Sequence, residues 1–331
     1  MRRIAIIGAG SWGTALAVVA ARAGHEVWLW SRNSEVVSSI NERRINSRYL
    51  TSTSIPESVI ASADMSAALR GASMVVLAAP SHAAREVLLM MSPLLDEAAI
   101  IVSVAKGIEI ETGKRMSEIA KEVLINSHPF VCLSGPSFAK EVVKGHPTAI
   151  VAASKESSAA RAVQNDLSFE NLRIYTNTDV IGTELGGSVK NVMAIAAGMT
   201  AGLGFGSNSV AALITRGLAE ITRLARREGA QVETLMGLAG LGDLVLTCTG
   251  KLSRNRFVGE ELGKGRTLEE IVAELNEVAE GINTARAVKK IADRASLEMP
   301  ITNEVNAVLY HNKPAREAVA ELMSRPLREE V

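Results

Sequence analysis

Cysteine is scarce in this chain: Cys132 and Cys248 are its two thiols, far apart and outside any CxxC or Cys/His ligand pattern. That spacing suggests neither a disulfide framework nor a zinc site, and a reducing cytoplasm is the expected location. Aromatic residues are few as well, at 3% of 331 positions against 47% hydrophobic in all. The core is therefore expected to be built from Ala, Val, Leu, Ile and Met. Net charge is missing too, because 36 basic residues cancel 36 acidic ones. This disfavours nucleic acid or an anionic membrane as a partner, while a local cationic pocket stays open. Long apolar runs are also lacking. Arg2 and Arg3 precede an apolar stretch, but the glycines from Gly8 onward interrupt it before a signal-peptide core can form. Residues 192–214 are weakly polar, yet Gly198, Gly202, Gly204, Gly206, Ser207 and Asn208 make a poor membrane span. The expectation is a cytoplasmic protein without stable membrane insertion.

What is present begins at residue 4. Ile4-Ala5-Ile6-Ile7-Gly8-Ala9-Gly10-Ser11-Trp12-Gly13-Thr14-Ala15 reads as a buried strand entering a glycine-rich turn and a helix. Gly8 suits the tight turn, Gly10 the approach of backbone amides to a pyrophosphate, and Gly13 the close packing of helix on strand. The acidic residue that would hold an NAD ribose belongs about twenty residues further on. Glu26-Val27-Trp28-Leu29-Trp30 ends instead in Ser31-Arg32-Asn33. A guanidinium there suits a 2′-phosphate, so NADP(H) is the preferred cofactor, with NAD(H) possible.

At 331 residues two domains are the default. Met74–Pro80, Ile100–Val104 and Phe130–Leu133 are short apolar runs followed by turn residues, and Ala149–Ala153 and Leu172–Tyr175 can supply the last strands. With a helical pattern such as His82–Met91 between them, they imply a doubly wound α/β sheet. From about Asp179 the pattern turns helical, in Val210–Glu228, Leu268–Leu275, Ala285–Arg294 and Ala315–Met323. The expected domains are 1–178, a Rossmann-type unit, and 179–331, a helical unit. Gly229, Gly263 and Pro300 are expected at helix ends and Pro314 in a first turn, and the glycines from 198 to 206 in a flexible loop.

Ligands of open α/β sheets bind beyond the carboxyl ends of the strands. Lys106-Gly107 and Gly135-Pro136-Ser137 fall at two such ends. In the helical half, Gly186-Gly187 precedes Lys190; the pair either clears access to that ammonium or lets another helix pack closely. Gly240-Leu241-Gly242-Asp243 presents a carboxylate that either orients a ligand or caps a helix. Ser253-Arg254-Asn255 combines a helix N-cap with a forked cation, a phosphate site or simple capping. His82, after Pro80-Ser81, either lines the crevice or starts a helix. The five histidines fit no metal or nucleophile-elbow pattern, which disfavours hydrolysis and favours chemistry borrowed from a cofactor.

In order, these motifs, with Glu184-Leu185, Lys190-Asn191 and Ala279-Glu280-Gly281, resemble the bacterial NAD(P)-dependent glycerol-3-phosphate dehydrogenases over nearly the whole chain. One departure is Tyr49-Leu50-Thr51, where the family usually continues with proline. The resemblance implies reversible conversion of sn-glycerol 3-phosphate and dihydroxyacetone phosphate, feeding glycerophospholipid synthesis. It implies Lys190 as the proton-transfer residue, with Lys106, Gly135, Ser137, Asp243, Ser253, Arg254 and Asn255 at the substrate. Around the cofactor it places Ser11, Trp12, Arg32, Tyr49, Lys106, Ala139, Arg254, Val278 and Glu280, beside the fingerprint glycines. It also implies a homodimer. A ketopantoate or 2-hydroxyacid reductase of the same layout and a non-catalytic NADP sensor are the competing readings.

Overall fold

The computed structural model describes residues 1–275, 277–327 and 329. Among these, eight strands form one sheet: β1 (Arg3–Ile7), β2 (Glu26–Trp30), β3 (Val59–Ser62), β4 (Met74–Leu77), β5 (Ile100–Ser103), β6 (Phe130–Ser134), β7 (Thr148–Ala153) and β8 (Leu172–Asn177). Their order is β3-β2-β1-β4-β5-β6-β7-β8. Neighbours run parallel except β6 and β7, which pair antiparallel. The order reverses between β1 and β4, which opens the crevice where an open α/β sheet takes its ligand.

Most strands lie where the apolar runs predict. β3 is the exception, because Val59-Ile60-Ala61-Ser62 is short and ends polar, too weak a pattern to signal a strand alone. β4 stops at Leu77 rather than Pro80, since proline has no amide to give the ladder.

Beyond β8 the described elements are helices, led by a 23-residue helix, Val180–Gly202. It is buried on every face from Gly182 to Thr200. Such a helix is unstable unless neighbours cover it all round, and glycine makes the closest cover possible. A Cβ on Gly198 would meet the Arg256 carbonyl oxygen at 2.0 Å, and one on Gly202 the Glu260 oxygen at 2.1 Å. Facing them, a Cβ on Gly259 would meet the Ile195 oxygen at 1.9 Å. Helix Arg254–Gly263 thus rests backbone to backbone on the central helix. Gly198 and Gly202 are helical, not part of the flexible loop expected from 198 to 206; their glycine content serves packing rather than mobility.

Helix boundaries follow local chemistry with small shifts. Gly229 takes the left-handed position (φ +88) just past Ser207–Arg227. Pro300 opens helix Pro300–Tyr310 instead of closing the preceding one, since a first-turn proline gives up no intrahelical bond. Pro314 caps Ala315–Met323 from just outside it.

Gly259→Ala is expected to cost at least about 2 kcal/mol, because its Cβ has only rigid backbone to meet. Gly204→Ala, with open space around it and only a left-handed φ of +80 to strain, costs roughly 1 kcal/mol. Urea midpoints of the two variants measure this, and equal shifts would remove the backbone-contact account of the crossing.

Candidate active site

The fingerprint turn has the geometry its glycines suggest. Gly8 sits at φ +123, and a Cβ there would strike the Ala78 carbonyl oxygen at 2.7 Å. A Cβ on Gly13 would lie 2.0 Å from the Gly8 oxygen. Around Gly10, by contrast, an added Cβ meets no heavy atom within 4 Å. The turn is therefore packed on its protein side and open on its ligand side. Gly10 caps helix Ser11–Arg22 and brings no side-chain acceptor to the first-turn amides, which suits an incoming phosphate. Ser11 and half-buried Trp12 begin that helix, and Arg32 is exposed just beyond β2. The residues present fit a dinucleotide.

A residue that looked like ordinary loop in the sequence completes this wall. Asn46, fully buried, donates to the Ala9 oxygen at 2.9 Å and to Thr14 Oγ1 at 2.8 Å, while its own Oδ1 accepts from the Tyr49 amide at 3.1 Å. It pins the Tyr49 turn over the fingerprint. Ser11 Oγ reaches the Tyr49 carbonyl at 2.8 Å across the same gap.

Past β5 and β6 the charged centre assembles. Lys190 lies on the central helix, and its Nζ donates to Asp243 Oδ1 at 2.5 Å and to Thr247 Oγ1 at 2.6 Å. Lys106, in the loop after β5, donates to Asp243 Oδ2 at 2.7 Å and to the Gly135 oxygen at 2.9 Å. One carboxylate thus joins two ammoniums drawn from opposite halves of the chain. Asp243 is 1% exposed and opens helix Asp243–Thr249, behind the turn Leu238–Gly242. Thr247 could be found from sequence only as the residue one helical turn after Asp243.

The paired glycines before Lys190 do two different things. A Cβ on Gly186 would strike the Ala239 carbonyl oxygen at 2.6 Å, so this glycine lets the Leu238–Gly242 turn pack close. One on Gly187 would meet Ser134 Oγ at 2.5 Å and come within 3.7 Å of Lys106 Cγ. Close packing, at Gly187, is thus what brings the end of β6 and Lys106 against the helix.

Burial outweighs the Asp243 contact at Lys190 and, with the nearby Lys106 charge, lowers its pKa from 10.5 to about 8. At pH 7 roughly 10% of the lysine is then neutral, against roughly 0.03% at the ordinary value. Cys248, beside this cluster, is pushed up to about 12 by burial and stays a thiol. Glu184, one turn and a half earlier on the helix, is buried and held by Arg115 Nη1 at 2.8 Å, the Ser117 amide at 2.7 Å and Ser117 Oγ at 2.6 Å. It ties the stretch after Lys106 to the same helix.

A chain of amides links the remaining candidates. Asn191 Nδ2 donates to the Lys106 oxygen at 3.1 Å, Asn255 Nδ2 to Asn191 Oδ1 at 2.9 Å, and the Gly281 amide to Asn255 Oδ1 at 2.9 Å. The Asn255 side chain is thus engaged within the protein. Ser253 caps helix Arg254–Gly263, its hydroxyl accepting from the Arg256 amide at 3.2 Å. Arg254 reaches outward to Glu277 at 2.7 Å. Ser137 donates to the Gly135 oxygen at 3.0 Å, and Ala139 opens helix Ala139–Val143 behind it. Gly135 itself, at φ +137, lies against Ile150. Glu280 accepts from the Ser81 amide at 2.8 Å and from its hydroxyl, and half-exposed Val278 precedes it. His82 lies in the short 3-10 turn Ser81–Ala83. Glu277 and Ser81 had no sequence signal beyond their neighbours.

A buried ammonium with a lowered pKa can exchange a proton with a hydroxyl or carbonyl oxygen. The trio Lys106, Lys190 and Asp243 carries one net positive charge, which favours an anionic substrate.

Comparison with known proteins gives a consistent family. Residues 3–160 match the model for the NAD-dependent glycerol-3-phosphate dehydrogenase N-terminus, and 179–320 the model for its C-terminus. The chain is 52% identical to glycerol-3-phosphate dehydrogenase [NAD(P)+] of Koribacter versatilis, covering 100% of this chain and 99% of that one. It is 51% identical to the protein of the same name from Citrifermentans bemidjiense, over 99% and 98% of the two chains. The crystal structure of glycerol-3-phosphate dehydrogenase from Coxiella burnetii is similar at a TM-score of 0.95 and 42% identity, covering 98% of this chain and 99% of that one.

The fingerprint geometry separates two glycines that look alike in sequence. Gly10→Ala should keep the thermal stability of the unliganded protein, losing well under about 1 kcal/mol at an N-cap, while weakening dinucleotide binding at least about tenfold by blocking the open side. Gly13→Ala should unfold or strongly destabilise the chain. Melting curves beside a fluorescence titration with NADPH check both, and a destabilised Gly10→Ala would contradict the open cradle.

Proposed function

The chain belongs to the NAD-dependent glycerol-3-phosphate dehydrogenase family, and from that premise we propose how its residues carry the reaction. It is an NAD(P)-dependent oxidoreductase interconverting sn-glycerol 3-phosphate and dihydroxyacetone phosphate. The observation that carries the residue assignment is the Asp243 carboxylate shared by Lys190 and Lys106 at the carboxyl end of the sheet.

In this reading residues 1–178 hold the dinucleotide and 179–331 supply most of the substrate site. Gly8, Gly10, Ser11, Trp12, Gly13, Arg32, Tyr49, Lys106, Ala139, Arg254, Val278 and Glu280 surround the cofactor, and exposed Arg32 inclines the site toward a 2′-phosphate, hence NADP(H). When bound, the nicotinamide supplies or takes up the hydride at C2. Lys190, as the neutral amine, accepts the proton of the C2 hydroxyl in oxidation; as the ammonium it donates that proton to the C2 oxygen in reduction. Asp243 and Thr247 aim its Nζ, and Lys106 adds the charge that keeps the amine accessible. The substrate phosphate is assigned to Arg254 and the first-turn amides over Ser253 and Asn255, with Gly135 and Ser137 on the opposite wall. Because the Asn255 side chain is engaged, its backbone is the part available to a ligand.

The cellular role proposed is supply of glycerol 3-phosphate to glycerophospholipid synthesis, in the cytoplasm. Among the described residues no helix is long and apolar enough to cross a membrane. A homodimer is proposed as well. It is supported by the groove that Thr215, Leu218, Ala219 and Met236 line on the outer side of the helical half, where Met236 is 58% exposed.

The decisive assay is NADPH oxidation with dihydroxyacetone phosphate, beside unphosphorylated dihydroxyacetone and beside NADH, for wild type and Lys190→Ala. Strong turnover that needs the phosphate and falls at least about a hundredfold in the variant is expected; activity equal without the phosphate would favour a different reductase. The pH profile gives a second check. Oxidation should rise, and reduction fall, as pH passes about 8. Asp243→Asn removes the charge that holds the Lys190 proton and should move this limb down, whereas Lys106→Met removes a repulsion and should move it up. Shifts in the same direction would rule out the electrostatic account.

A further inference from the structure

The crevice at the β1/β4 reversal has two rims, the turn after β1 and the turn after β4. One short stretch of the helical half reaches both. Glu280 engages Ser81 after β4. Glu277 accepts a hydrogen bond from the Ser11 hydroxyl on the fingerprint turn, and its second oxygen takes Nη1 of Arg254 at 2.7 Å. The Ser11 hydroxyl has a single proton and two acceptors in reach, the Tyr49 carbonyl and this carboxylate; the charged acceptor forms the stronger bond.

Ser11 and Arg254 are the groups that the proposed function assigns to the cofactor. A phosphate arriving at the N-terminus of helix Ser11–Arg22 finds a carboxylate already in contact with them. Glu277 either leaves or remains as a like charge beside the phosphate, and both oppose binding. The clasp is also weak enough to open, since the Arg254 side chain is 48% exposed and that of Glu277 23%.

We propose that Glu277 is a resident competing anion at the phosphate seat of the cofactor, loosening NADP(H) and hastening its release. The inference rests on that seat being where the dinucleotide binds. Its removal strengthens binding, which distinguishes it from a residue that holds the cofactor or merely tethers the two halves.

The test is NADPH fluorescence titration of wild type, Glu277→Gln and Glu277→Ala at low ionic strength, with dissociation followed by displacement with excess NADP+. Both variants should bind about three- to tenfold tighter, through slower dissociation. Added salt should narrow the difference from wild type. Unchanged or weaker binding by Glu277→Gln overturns the proposal. Gln like wild type with Ala weaker also overturns it, and identifies a tether. Failure of the wild type to bind NADPH at all overturns the functional reading as well, whereas wild-type binding without a shift in the variants removes only the role of Glu277.

Discussion

The buried Asp243 carboxylate is the constraint on which the site depends. Two ammoniums approach within 2.7 Å of its oxygens, one from the helical half and one from a loop of the sheet. Lys190 could not be kept at this depth without a counter-charge, because an unpaired buried ion loses several kcal/mol of hydration. The carboxylate alone would be equally unfavourable. Together the two ammoniums and the carboxylate leave one positive charge in excess, and burial first, then the Lys106 charge, lowers Lys190 while the pair stays hydrogen-bonded. Function is thus tied to incomplete neutralisation: a second carboxylate would return Lys190 toward an ordinary lysine, and without Asp243 the two ammoniums would repel across the junction.

Holding three charges in register requires rigid supports, and here those are glycine contacts rather than large side chains. The central helix places Lys190 by letting its neighbours approach closely on several sides: the backbone of the Leu238–Gly242 turn at Gly186, the side chains of Ser134 and Lys106 at Gly187, and the backbone of helix Arg254–Gly263 at Gly198 and Gly202. Each glycine costs conformational entropy in a helix. The return is that Asp243, Lys106 and the Arg254 helix all reach one point along a single buried rod. This is why a chain with so few aromatics still fixes its site closely.

Much of this was legible in the sequence, for reasons that differ by residue. The Gly8-Ala9-Gly10-Ser11-Trp12-Gly13 turn could be read because its chemistry is contained in six consecutive residues. Lys190 and Asp243 stood out as polar groups among glycines in otherwise apolar surroundings. Their pairing did not, since 53 residues separate them and only the packed turn at Leu238–Gly242 brings them together. Asn46 and Glu277 were illegible for the same reason: an asparagine in a polar loop and a glutamate in a polar connection look solvated until the tertiary fold supplies their partners. The glycines from 198 to 206 misled in the opposite direction. Composition suggested mobility, but two of them are spaced four apart on a helix, and that spacing is a packing signal only when a matching pair, Gly259 and Gly263, is seen to face it.

Charge along the crevice changes sign with depth, and this ordering bears on how one site can both attract and release anions. At the bottom lies the net positive trio around Asp243. At the rim lie two carboxylates, Glu277 and Glu280, each bonded to a group of the dinucleotide-binding half. On the proposed assignment the phosphate is taken by Arg254 in competition with Glu277 at the rim, while the trio faces the reacting oxygen. Uniformly positive walls would raise affinity for substrate, cofactor and product alike, which gains nothing at the chemical step. With the proposed role of Lys190, a net positive trio beside the reacting oxygen, and anions at the mouth, concentrates the electrostatic stabilisation where it can affect the transition state rather than simply the residence of ligands.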